Sequence, residues 1–134
     1  MITAVDTSVL LDVIMADPVH GPSSRERLKK AYDDGGALIV SDVVYAELAP
    51  QFASREDEDA ALIEIGIRLV TSGADVAFLA GQKWGQYRKA GGSRTRLLAD
   101  FLIGAHAKVH AERLVTRDRG FYREYFADLR LLEE

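Results

Sequence analysis

Two short apolar runs, one at each end of the chain, both finish in an acid. Ile2-Thr3-Ala4-Val5 leads into Asp6-Thr7-Ser8, and Leu114-Val115-Thr116 leads into Arg117-Asp118-Arg119-Gly120. Runs of this length and character read as buried strands. In an open parallel α/β sheet, side chains just beyond the carboxyl ends of neighbouring strands converge on one crevice. Asp6 and Asp118 are therefore candidates for a common site, although nearly the whole chain separates them. Parallel strands cannot be joined by tight hairpins, so such a sheet requires crossover helices between its strands.

The intervening sequence supplies them. Asp6-Thr7-Ser8 offers N-cap oxygens to a helix through Val9, Leu10, Val13 and Ile14. After a Pro- and Gly-marked loop at 17–22, with His20 expected on its surface, Ser23-Ser24-Arg25-Glu26 has capping-box spacing for a helix ending at Gly35-Gly36. Ala37–Val40 predicts a second strand, with Ser41 capping a helix from Asp42. Ser54 opens another helix, whose acids from Glu56 to Asp59 complement the helix dipole as a solvated face. Beyond Gly66, residues 68–71 predict a third strand and 74–90 a helix closed by Gly91-Gly92-Ser93. A further helix covers Leu97–Ala107. Gly120–Phe126 predicts an irregular or briefly helical connection, and Asp128–Leu132 an edge strand. The repeated β-α order implies a parallel sheet of about four to five strands with helices on both faces, a three-layer α/β/α architecture. With 134 residues and no linker, repeat or low-complexity segment, one domain over 1–134 is expected.

Two more acids stand out by position. Val43, Val44, Glu47 and Leu48 share one helix face, so Glu47 interrupts an apolar stripe; Asp100 shares a face with Ile103, Gly104, Ala107 and Ala111. A carboxylate buried alone on either face is costly. Four converging carboxylates need compensation, because two like charges 4 Å apart repel by about 4 kcal/mol at an effective dielectric near 20. A hard divalent cation supplies it. The chain has no cysteine, which excludes disulfides and thiolate metal sites, so any metal is held by oxygen or imidazole. Mg²⁺ or Mn²⁺ prefers oxygen, binding through one or two carboxylates plus substrate phosphate oxygens. Such a site hydrolyses phosphodiesters by activating water and neutralising charge on the attacked phosphate. The hydroxyls of Ser8 and Thr116, each close to an acid, fit an orienting role toward carboxylate or metal water, or equally a cap or turn.

Val5-Asp6-Thr7-Ser8-Val9-Leu10-Leu11-Asp12, Val44-Tyr45-Ala46-Glu47-Leu48, Ala99-Asp100-Phe101-Leu102-Ile103-Gly104-Ala105-His106-Ala107 and Thr116-Arg117-Asp118-Arg119-Gly120-Phe121-Tyr122 together resemble the motifs of PIN-domain proteins, most nearly those of bacterial VapC toxins. The four blocks stand in the family's order and span essentially the whole chain. The resemblance implies a PIN-like, Rossmann-like fold and a Mg²⁺- or Mn²⁺-dependent endoribonuclease, the toxin component of a VapBC-type pair. It also implies that Asp6, Glu47, Asp100 and Asp118 are the catalytic, metal-holding quartet, with Ser8 and Thr116 near the metal. Members of the family usually form homodimers and are inhibited by a VapB-like antitoxin.

Composition bounds the remaining readings. At 48% hydrophobic and 28% charged residues the chain belongs with folded proteins. No run of about 18 apolar residues and no basic-then-apolar N-terminus predicts a membrane span or signal peptide, so a cytoplasmic location is expected. The formal net charge of −4 argues against a broad basic coat. Local patches remain: Arg88, Lys89, Arg94 and Arg96 precede the Asp100 helix, and Arg117 and Arg119 flank Asp118. Of these, Arg94, Arg96, Arg117 and Arg119 are expected to line the cleft's rim and hold RNA phosphates. His106 and His110 have zinc-compatible spacing but no third soft ligand, and are expected to pack. Phe78, Trp84 and Tyr87 read as core or interface, and Phe121, Tyr122, Tyr125 and Phe126 as a cluster anchoring the last strand or covering a dimer contact. The alternatives to an enzyme are a non-catalytic RNA- or protein-binding module on the same pocket, and a phospho-receiver domain, which leaves Glu47 and Asp100 unexplained.

Overall fold

The structure, a computed structural model, describes residues 1–93 and 97–132. Strands β1 (Thr3–Val5), β2 (Leu38–Val40), β3 (Ile67–Leu69) and β4 (Arg113–Val115) form one fully parallel sheet in the order β3-β2-β1-β4. Helices α1 (Thr7–Ile14), α2 (Gly21–Asp33), α3 (Asp42–Leu48), α4 (Arg55–Ile65), α5 (Gly73–Lys89), α6 (Leu98–His110) and α7 (Arg119–Tyr125) connect and cover the strands, with a short 3₁₀ turn at Ala49–Gln51. This is the expected three-layer α/β/α fold, with four strands among the described residues.

β1, β2 and β4 are buried throughout, as strands covered on both faces must be. β3, at the edge, buries Ile67 but exposes Arg68 and Leu69. Val5 pairs with Val115, and the Asp6 amide donates to the Val115 carbonyl at 3.0 Å. The sheet register thus sets the two acid-bearing turns side by side.

Local sequence accounts for most helix ends. Side chains of Asp6, Ser41 and Ser54 cap α1, α3 and α4 through the amides of Thr7, Val44 and Asp57. Gly66 ends α4 with φ of 87°, a left-handed conformation that glycine adopts without steric cost. On α6, Gly104 is required by close approach: a Cβ there would meet the Phe126 ring at 2.5 Å.

Four expectations are corrected. α2 begins at Gly21, before the serines, because Pro22 suits a first helical turn and the Ser24 hydroxyl turns inward to Asp12. The 128–132 segment forms a single parallel bridge, Leu114–Leu131, rather than a strand. The aromatic cluster is core: Phe121, Tyr122 and Phe126 are buried, and Phe101 of α6 meets Phe121 at 5.2 Å and Tyr87 at 5.4 Å, an edge-to-face and a tilted contact. Within the acidic turn of α4, Glu58 is buried, not solvated, and Asp59 accepts from the Tyr45 hydroxyl at 2.6 Å. Burial pushes the Glu58 carboxyl above its usual range.

Helix α6 carries His106 and His110. His106 is buried, with Nε2 2.7 Å from the Val70 carbonyl, and His110 Nε2 lies 3.1 Å from the Ser72 carbonyl. They fasten the β3–α5 connection, a packing role. Of the aromatics on α5, Tyr87 is buried, Trp84 half-buried with Arg88 stacked over its ring, and Phe78 exposed.

Candidate active site

A cleft of about 480 Å³ opens at the carboxyl ends of β1 and β4, lined by Asp6, Thr7, Ser8, Leu11, Glu47, Asp100, Ile103, Arg117 and Asp118. All four acids singled out in the sequence line it. They arrive from four elements: the β1–α1 turn, the last turn of α3, the first turn of α6, and the β4–α7 turn.

Asp6 is the most constrained. Its Oδ1 accepts from the Thr7 amide at 2.8 Å and its Oδ2 from the Thr116 hydroxyl at 2.7 Å. Thr116 Oγ1 also accepts from the Asp118 amide at 2.9 Å, so one hydroxyl orients one acid and the backbone of another. Burial pushes the Asp6 carboxyl up to about 6; the Thr116 and Thr7 hydrogen bonds oppose the rise, and the charges of Asp100 and Glu47 add to it. Glu47 Oε1 accepts from the Thr7 hydroxyl at 2.6 Å, and Asp100 Oδ2 from the Leu97 amide at 3.1 Å. Glu47 is exposed on the cleft side of α3, whereas Val44 and Leu48 are buried. The interrupted stripe thus marked the border between core and cleft.

Among the described residues no three carboxylate or imidazole side chains stand as a ready-made metal cluster. The donor set nevertheless suits a hard cation: among the described residues the cleft offers carboxylate and hydroxyl oxygens, and the buried Ser8 Oγ has no hydrogen-bond partner.

The basic residues divide. Arg117 lines the cleft, but its Nε donates to Asp12 Oδ2 at 2.8 Å and its terminal NH₂ to Asp12 Oδ1 at 3.2 Å. One edge of its guanidinium is thus engaged with a carboxylate. Arg119 begins α7, half-buried beside Asp118; Arg88 and Lys89 lie exposed at the end of α5. Arg94 and Arg96 lie outside the described residues.

Sequence reasoning missed Thr7, which holds Glu47, and the Asp12–Ser24 pair behind Arg117. An acid inside the apolar run Val9-Leu10-Leu11-Asp12-Val13-Ile14 was the available signal for the second.

The protein is thus a parallel α/β domain with four acids gathered in one cleft at the carboxyl ends of its strands. The chain belongs to the PIN domain family, whose sequence pattern matches residues 3–127. No protein of curated function matches the sequence. Among solved structures the fold is similar to VapBC2 from Rickettsia felis bound to a DNA fragment from its promoter (TM-score 0.71, 23% identity, 98% of this chain and 97% of that one covered). VapBC-1 from nontypeable Haemophilus influenzae gives 0.71, 19%, 98% and 96%. FitAcB from Neisseria gonorrhoeae gives 0.62, 24%, 99% and 97%.

Proposed function

We propose that this protein is a Mg²⁺- or Mn²⁺-dependent endoribonuclease and the toxin of a VapBC-type toxin–antitoxin pair, a homodimer held inactive by a VapB-like antitoxin. The observation that carries this reading is the meeting of Asp6, Glu47, Asp100 and Asp118 in one cleft at the sheet's carboxyl edge. Membership of the PIN domain family and likeness in fold to toxin–antitoxin complexes support it.

Asp6, Asp100 and Asp118 would hold the cation, with Glu47 completing the negative surround. A bound cation supplies water activation and charge neutralisation at the scissile phosphate. Thr116 fixes the Asp6 carboxylate through Oδ2, and Thr7 fixes Glu47. Asp6, with its carboxyl pushed up to about 6, is mostly ionised at neutral pH and would be open to a cation there, whereas below pH 6 a cation would have to displace its proton. Ser8 Oγ is a further oxygen for a bound water.

The test is cleavage of total and structured RNA by purified protein with Mg²⁺ or Mn²⁺, mapped by end sequencing. Discrete cuts abolished by EDTA, Asp6→Asn and Asp118→Asn are expected. Cuts that persist in both variants would refute the reading.

A further inference from the structure

Asp12 belongs to no expected catalytic set, yet it is almost fully buried in the last turn of α1, its side chain only 4% exposed. Three donors converge on it: the Ser24 hydroxyl of α2 at 2.6 Å, and the Nε and terminal NH₂ of Arg117. Arg117 is the middle residue of Thr116-Arg117-Asp118. Thr116 is tied to Asp6 at the start of α1 and Arg117 to Asp12 at its end, so one helix grips the acid-bearing turn at two points. This rests on the reading of Asp118 as a cleft ligand. We propose that Asp12 is a positioning residue, which with Ser24 clamps the Arg117 guanidinium and thereby fixes the turn that carries Asp118 over the cleft.

Two features support the clamp. One of the two bidentate edges of the guanidinium, the Nε side, is held by Asp12, which fixes the plane of the side chain. The region is also crowded with cations: burial, followed by the positive charges of Arg119 and Arg117, lowers the pKa of Arg27 on α2. Without the Asp12 carboxylate, those like charges would push the turn outward. A buried ion pair adds little stability over an apolar pair of the same shape, but it holds a defined geometry.

The experiment compares the full chain with Asp12→Asn, Arg117→Gln and the double variant. Three quantities are followed: hydrogen exchange of the Asp118 amide, Mn²⁺ affinity by electron paramagnetic resonance, and kcat and KM on an RNA that the unaltered protein cuts. The clamp predicts faster exchange of that amide and Mn²⁺ binding weaker by about 10- to 100-fold. A matching fall in kcat at unchanged KM is expected, and the double variant should lose no more than either single one. Ser24→Ala should shift the same quantities in the same direction by less. Unchanged exchange and Mn²⁺ affinity in folded Asp12→Asn overturn the proposal; if that variant does not fold, Arg117→Gln decides alone, since its side chain is one-third exposed. An unaltered protein that neither binds Mn²⁺ nor cleaves RNA defeats the nuclease reading, while the exchange rates still decide the clamp.

Discussion

At the amino ends of β1 and β4, the buried Arg113 donates through Nε to Thr3 Oγ1 and through a terminal NH₂ to Asp34 Oδ2, both at 2.8 Å. At the carboxyl ends of the same two strands, Asp6 is buried as deeply and meets two hydrogen-bond donors, but the charges of Asp100 and Glu47 act against its ionisation. One end has its buried charge neutralised within the fold. The other keeps its negative charge in excess, at a cost to stability, which is the condition a cation site needs before the cation arrives.

The largest expected effect lies at the uncompensated end. Asp6→Asn or Asp118→Asn should lower kcat for metal-dependent RNA cleavage by more than about a hundredfold, because each removes part of what holds several kcal/mol of charge stabilisation in place. Steady-state cleavage of a mapped RNA checks it. Stability should move the opposite way. A carboxyl raised from 3.8 to about 6 on folding disfavours the folded state by about 3 kcal/mol above pH 6, and that cost disappears as pH falls toward 3.8. Metal-free Asp6→Asn should therefore resist urea better than the unaltered protein at pH 7, with the difference gone near pH 4.

At the compensated end Arg113→Met should cost about 2 kcal/mol in urea unfolding, the worth of hydrogen bonds to a charged group whose partner Asp34 can still reach water. Mn²⁺ affinity should stay the same, which sharpens the contrast between the two ends. The smallest effect concerns His106, whose pKa burial lowers, with a smaller contribution from His110. The unfolded chain then binds the extra proton more readily, so stability should drop as pH falls below about 6.5. His106→Gln, whose amide can still donate to Val70, should lose that part of the slope in urea titrations.

The sequence was most legible where signals are local. Apolar runs gave the four strands, Ser41 and Ser54 the caps they provide, and the strand-to-acid turns the two halves of the cleft. Glu47 and Asp100 were legible because each spoils a helical stripe. Arg117 lines the cleft as expected, but its tie to Asp12 was not legible, because that partner is set by how α1 packs on the β4–α7 turn. Glu58 was misjudged for the same kind of reason: a dipole-compensating acid reads as solvated until the packing of α4 is known. Leu131 shows the limit for strands, since alternation in 128–132 meets a sheet edge that accepts only one bridge.

The most direct test of the charge-frustrated cleft is the melting temperature between pH 5 and 7.5, with and without Mn²⁺, for the unaltered protein and Asp6→Asn. Without metal, the unaltered protein should gain stability relative to the variant as pH falls through 6. At pH 7.5, Mn²⁺ should raise the melting temperature of the unaltered protein and leave Asp6→Asn almost unmoved. Parallel pH profiles, or an equal Mn²⁺ shift in both proteins, would contradict the account.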